Sequence, residues 1–277
     1  MYPDALAYLT CPRHPEAPLT RVAATRHAAD GEVVTGALAC PSCDARYLIN
    51  NGILDLLGPH VLPDSPAQLT NYLPITAWAY ERAWRSHSLS LLAGERFGYE
   101  RELPLIVGLA APERGGLIVD VACSNGLYAR ALERARGAAP GHVIGLDHAT
   151  PMLRQARAYA RAARLRVSFV RAKAQALPFA PGTAAVLAMG GSLNEIGDAD
   201  GAMRELRRAL APAGRCALMC LVRGERPAGR ALQALLGLGG IDFPPLDLLN
   251  VRLAAAGLRL RAQWRHRVVV FSLLGAG

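Results

Sequence analysis

Residues 117–126 read LIVDVACSNG and residues 142–147 read HVIGLD. Each is a short apolar run bounded by turn-forming residues, and each is followed by text with helical periodicity. NGLYARALERAR follows the first and TPMLRQARAYARAAR the second. The same alternation continues: RVSFVRA, AAVLAMGG and RCALMCLV are strand-like, and DGAMRELRRAL lies before the last of them as a helix. Strand–helix alternation predicts a doubly wound, mostly parallel α/β sheet with helices on both faces. LRLRAQWRH and RVVVFSLL close the chain as strands six and seven. Their connection is too short for a crossover helix, so one edge of the seven-stranded sheet should be antiparallel.

Upstream, residues 59–66 (PHVLPDSP) are proline-rich and mark a boundary. We divide the chain into a module over residues 1–58 and a larger domain over 59–277, with 59–114 as helices forming a lid. The first part carries Cys11, Cys40 and Cys43. LTCPRH at 9–14 and LACPSC at 38–43 are matching knuckles, each a tight turn offering two ligands to one ion. Cys11, His14, Cys40 and Cys43 make a closed three-cysteine, one-histidine set, a usual form of structural zinc. Between the knuckles the text predicts a hairpin turning at Asp30-Gly31, and after them a strand pair broken at Asn51-Gly52. Such a small β module needs a staple.

In an open α/β sheet the ligand lies beyond the carboxyl ends of the strands, where the strand order reverses. The turn after the first strand is Asp120, Val121, Ala122, Cys123, Ser124, Asn125 and Gly126. Small residues at 122, 124 and 126 let the backbone pass close to a ligand, and the following helix presents free N–H groups. Asp147 ends the second strand, where a carboxylate can accept from both hydroxyls of a ribose. The same acid would also serve as a cap for the next helix.

The ordered segments VDVACSNG, GLDHATPML, ALPFAPGTAAVLAMGG and ELRRALAPAGR resemble the successive motifs of class I S-adenosylmethionine-dependent methyltransferases, over roughly residues 70–277. The resemblance implies a Rossmann-like methyltransferase domain with S-adenosylmethionine as cofactor. It puts Asp120, Ala122, Cys123, Ser124, Asn125 and Gly126 beneath the methionine part, and Asp147 at the ribose. His148 and Met152 would lie near the adenine, with Lys173 and Ala174 at its other edge, and Gly190 with Gly191 facing the transferred methyl. YERAWRSHSLSLLAG and the leading zinc-ribbon-like module resemble a bacterial and plastid subgroup akin to quinone-biosynthesis enzymes. The module is also similar to that of a bacterial ribosomal-RNA guanine methyltransferase.

Three departures stand out. The family's glycine-rich loop has Gly where Ala122 and Ser124 stand. Lys173, the only lysine, replaces an acid that accepts from the adenine amino group, and an ammonium cannot accept. Ala184-Ala185 also stands where an acid is common.

The expected activity is methyl transfer to a small or lipophilic metabolite. Asn194 and Glu195, just after strand four, are the catalytic candidates, as orienting amide and general base. Tyr80, Arg82, Trp84 and Arg85 are candidates for an acceptor pocket. Two alternatives remain: an RNA base methyltransferase, and a non-catalytic binding or scaffold protein. A net charge of +9 fits an anionic partner, but arginine dispersed along helices fits a composition bias equally well. With 52% apolar and 19% charged residues the chain is not disordered. No apolar run is long enough to span a membrane, and the opening MYPDALAYLTCPRHPE carries no secretory pattern. The expectation is a soluble cytoplasmic protein; its oligomeric state is left open.

Overall fold

The computed structural model of the chain describes residues 1–59, 63, 65–73, 76 and 86–277. The N-terminal part contains β1 (Thr10–Cys11), β2 (His14–Pro18), β3 (Thr20–Arg21), β4 (Arg26–His27), β5 (Val33–Ala39), β6 (Arg46–Asn50) and β7 (Ile53–Asp55). The larger part contains β8 (Gly116–Val121), β9 (Gly141–Asp147), β10 (Val167–Arg171), β11 (Ala184–Gly190), β12 (Leu210–Leu221), β13 (Leu258–His266) and β14 (Val269–Ala276). Their order is β13-β14-β12-β11-β8-β9-β10. Strands β8 to β12 pair in parallel, whereas β14 runs antiparallel to both β12 and β13. This is the seven-stranded, mostly parallel sheet of the Rossmann-like methyltransferases. The tight β13–β14 connection explains its antiparallel edge.

Apolar text on the inner strands follows from burial on both faces. Two side-chain clusters cover the sheet, one around Val119, Ile144 and Leu187, the other around Ile118, Val143 and Ala188. Helix Tyr99–Ala110 packs on the second face through Ile106 and Leu109. Among the described residues no helix is long and apolar enough to cross a membrane.

Strands β3, β5, β6 and β7 continue the same sheet, whereas β1 and β2 form a separate antiparallel pair. β7 pairs in parallel with β10, and β6, β5 and β3 follow outward. Gly31 (φ 80°) turns the chain between β4 and β5. Asn51 (φ 48°) and Gly52 (φ 71°) turn it between β6 and β7, as a two-residue hairpin of this composition requires. Leu54 is fully buried at the junction, contributing on the order of 2 kcal/mol. Buried Glu32 forms ion pairs with Arg157 and Arg161 of helix Thr150–Ala162 at 2.7 and 2.8 Å. Residues 1–58 are thus held at a strand edge, at one helix and, through Leu9 and Thr10, at Pro178 and Phe179.

Candidate cofactor cleft and metal centre

The strand order reverses at β8, whose neighbours are β11 and β9. A cleft opens beyond the carboxyl ends of these strands, in two adjoining lobes that share Ala122, Ser124 and Ser192. One lobe is lined by Asp120, Cys123, Asn125, Tyr128 and Gly190. The other is lined by Asp147, His148, Lys173, Ala174 and Glu195. Most of the cofactor residues expected from the sequence therefore meet in one place. Gly126 and Met152 stand just behind the walls: Met152 is buried, with its sulfur 3.5 Å from the Ser124 Oγ.

The loop from β8 to helix Leu127–Arg136 is built on left-handed backbone. Ala122, Ser124 and Gly126 have φ of 53°, 49° and 75°. Gly126 fits that conformation freely, and a Cβ there would also lie 3.1 Å from that of Ala156. Ala122 and Ser124 adopt it at a cost of about 1 kcal/mol each. The loop is pinned from three sides. The Cys123 N–H donates to the Leu146 carbonyl at 2.8 Å, the Gly126 N–H to the Cys123 carbonyl at 2.7 Å, and the Ser124 N–H to Asp147 Oδ2 at 2.8 Å. Asp147 Oδ1 accepts from the Ala149 N–H at 2.8 Å, so the acid is also a helix cap. Each of its oxygens keeps a further lone pair for a hydroxyl donor.

Asp120 Oδ2 accepts from the Ala129 N–H at 2.7 Å, fixing the start of helix Leu127–Arg136. Beside it, Asn125 is buried and its Nδ2 has no hydrogen-bond partner among the described residues. A buried donor left unpaired costs about 1–3 kcal/mol unless a ligand accepts from it. A ligand carboxylate in this lobe would do so, which fits the amino-acid end of S-adenosylmethionine. Gly190 is required by packing, because a Cβ there would approach the Tyr128 ring to 2.6 Å. Burial, then the carboxylates of Asp120 and Asp147, push the Cys123 thiol well up, so it stays protonated.

Several cleft residues were not singled out from the sequence. Gln68 and Asn71, from helix Pro66–Thr70 and its C-cap, form one wall; Gln68 Nε2 donates to the Glu195 carbonyl at 3.2 Å. The Tyr72 hydroxyl is 2.8 Å from His148 Nδ1. At the strand ends Asp55, Arg171 and Asp147 are register partners across β7, β10 and β9. Arg171 pairs with Asp55 at 2.9 Å and donates from Nε to the His148 carbonyl at 3.0 Å. No local pattern marks Asp55 and Arg171, since pairing between β7 and β10 brings them together.

The two catalytic candidates differ. The Asn194 amide is committed to backbone: Nδ2 donates to the Leu221 and Asp242 carbonyls at 2.7 and 2.6 Å, and Oδ1 accepts from the Leu221 N–H at 2.9 Å. It ties three segments together and has no donor left for an acceptor molecule. Glu195 lies on the cleft wall. Tyr80, Arg82, Trp84 and Arg85 lie outside the described residues.

In the N-terminal module, ligand atoms of Cys11, His14, Cys40 and Cys43 all lie within 4.8 Å of one another. His14 Nδ1 is 3.8 Å from the sulfurs of Cys11 and Cys40, and the Cys11 and Cys43 sulfurs are 3.9 Å apart. Sulfur ligands at ~2.3 Å from a tetrahedral ion stand about 3.8 Å apart, so the donor set fits zinc in type and spacing. Burial would raise the Cys11 thiol, but hydrogen bonds from Tyr47 and His14 pull it down to about 6.

Comparison with known proteins agrees with this geometry. Residues 118–214 match a family model described as a methyltransferase domain. The demethylmenaquinone methyltransferase of Thermus thermophilus is 41% identical over 176 residues, covering 54% of this chain and 76% of that one. An uncharacterized chloroplastic methyltransferase of Arabidopsis thaliana is 28% identical over 188 residues, covering 63% of this chain; the match spans 51% of that relative's length. Among solved structures, the mitomycin 7-O-methyltransferase MmcR shares the fold with a TM-score of 0.59 at 20% identity, over 77% of this chain and 61% of that one. With its strand order, its cleft at the reversal point and a relative of this closeness, the chain belongs to the class I S-adenosylmethionine-dependent methyltransferases.

Proposed function

We propose that the protein transfers a methyl group from S-adenosylmethionine to a small lipophilic acceptor of the quinone class. The observation that carries the cofactor half is the buried Asn125 Nδ2 in one lobe, unpaired among the described residues, with the Asp147 carboxylate in the other. The acceptor half rests on the likeness to a demethylmenaquinone methyltransferase. When bound, S-adenosylmethionine supplies a methyl group already activated on a sulfonium, so orientation contributes most of the rate.

The protein's own residues then have limited tasks. Asn125 donates to the carboxylate of the bound molecule, and Asp147 accepts from the ribose. His148 and Met152 border the adenine, while Lys173 donates to a ring nitrogen or turns outward. Glu195 takes the proton that the acceptor loses as the new bond forms. Asn194 acts as a positioning residue by fixing the loop that carries Glu195. Cys11, His14, Cys40 and Cys43 hold a structural zinc that staples residues 1–58.

Calorimetric titration with S-adenosylmethionine and S-adenosylhomocysteine tests the reading, run beside Lys173→Asp. Micromolar binding by the native chain is expected, with the variant binding at least as tightly. If only Lys173→Asp binds, the native pocket is switched off and the non-catalytic reading replaces this one.

A further inference from the structure

Two helices, one of them on the cleft wall, bury a glutamine and expose leucines. In helix Pro227–Gly237 the inward residue is polar: Gln233 is 6% exposed, accepts from the Gly224 N–H at 2.8 Å and donates to the Val222 carbonyl at 2.9 Å. Ala231, Ala234, Leu235 and Leu238 lie one helical face apart and are exposed, Leu235 by 64% and Leu238 by 82%. Helix Pro66–Thr70 repeats the arrangement. Gln68 is buried against the Glu195 carbonyl, while Leu69 and Leu73, four residues apart, face outward. The turn after the first helix meets the start of the second, since a Cβ on Gly240 would come within 2.8 Å of that of Ser65. Exposed Leu91, on helix Ser86–Ala93, lines a groove of about 490 Å³ together with Leu232 and Val268.

Burying glutamine while exposing leucine opposes the usual partition, so leucines gathered this way need a partner. Among the described residues around them, arginines outnumber acids. Arg223, Arg226, Arg230, Arg265 and Arg267 are all exposed here, and the acids paired with them are Glu225, on Arg265, and Glu95, on Arg267. A two-fold contact with a second copy would bring the arginines face to face, which is repulsive. Leucines projecting from a short helix with arginines at its border match the requirements of an anionic lipid surface.

We propose that the face formed by helices Pro227–Gly237 and Pro66–Thr70 docks on an anionic bilayer, with Leu235 and Leu238 entering the interface. Leu69, Leu73 and Leu91 extend that contact, and the arginines sit among the headgroups. Helix Pro66–Thr70, which gives Gln68 to the cleft wall, would then set that wall beside the membrane. The inference goes beyond the proposed reaction, and vesicles free of any acceptor separate the two.

The test is co-sedimentation of the full chain with vesicles of phosphatidylcholine alone, or with a third of the lipid replaced by phosphatidylglycerol. The native chain should partition into the anionic vesicles about tenfold more strongly than into the neutral ones. Leu235→Ser with Leu238→Ser should lose roughly tenfold on anionic vesicles, and Arg226→Gln with Arg230→Gln should lose the preference for them. Unchanged circular dichroism and thermal melts would show that both variants remain folded. Absence of native partitioning, or leucine variants that partition equally well, would overturn the proposal. So would light scattering that finds a dimer dissolved by the leucine substitutions, which assigns the face to a second copy.

Discussion

At the scale of single residues, the cofactor loop departs from its family where the backbone demands most. Ala122 and Ser124 occupy left-handed conformations that glycine enters without a steric penalty. Substituting Ala122→Gly removes the Cβ conflict and adds unfolded-chain entropy, two effects of opposite sign. The steric term is larger at φ 53°. Ala122→Gly should therefore stabilise the protein by about 0.5–1 kcal/mol, raising Tm by about 2 °C in a thermal melt. A lower Tm would mean the loop holds no such strain. The αL geometry at Ala122 and Ser124 was not legible, because alanine and serine carry no signal for it. Gly126, by contrast, announces its positive φ.

At the scale of elements, β7 is the piece that joins module to cleft. Its Asp55 carboxylate neutralises Arg171, and Arg171 holds the His148 carbonyl at the wall of the cleft. Asp55→Asn keeps the side-chain oxygen that accepts from the Leu57 and Gly58 N–H groups, so it isolates the loss of charge. Leaving Arg171 short of its counter-ion should cost about 1–3 kcal/mol in chemical denaturation. Displacement of His148 should raise the dissociation constant for S-adenosylhomocysteine by roughly three- to tenfold, or about 0.7–1.4 kcal/mol. Unaltered affinity in an equally destabilised variant would confine the pair to a structural role. The hairpin containing β7 was legible from Asn51-Gly52, whereas its parallel pairing with β10 was not. Hairpin turns are local, but an edge-strand partner more than a hundred residues away leaves no mark on the period of either strand.

At the scale of the whole molecule, the sheet is continuous across the boundary near residue 58. We propose that residues 1–58 nonetheless form a unit with its own staple, supported by the closed ligand set of Cys11, His14, Cys40 and Cys43. Metal-binding energy is folding energy for so small a module. Chelation should thus abolish hydrogen-exchange protection over residues 1–58, and the exposed edge at β10 should loosen next. Strands β8, β9, β11, β12 and β14 should stay protected. Collapse of protection across the entire sheet would mean that module and domain fold as one unit.

By itself, the sequence determined the parts whose signals are local. The alternating strands and helices, the antiparallel closing pair, the turn after β8 with an acid ending β9, and the two cysteine knuckles each follow from residue period, turn chemistry or ligand spacing. These sufficed for the fold class and for the loop after β8 with Asp147, whereas His148, Lys173, Ala174 and Gly190 followed from the resemblance to methyltransferase motifs. Only the tertiary structure decided how distant segments meet. It put Gln68 and Asn71 over the cleft, committed the Asn194 amide to backbone, left Asn125 Nδ2 unpaired among the described residues, and turned Leu235 and Leu238 outward. The physical reason is the same in each case. A side chain's role depends on which hydrogen-bonding groups and apolar surfaces lie opposite it, and packing between remote segments sets that.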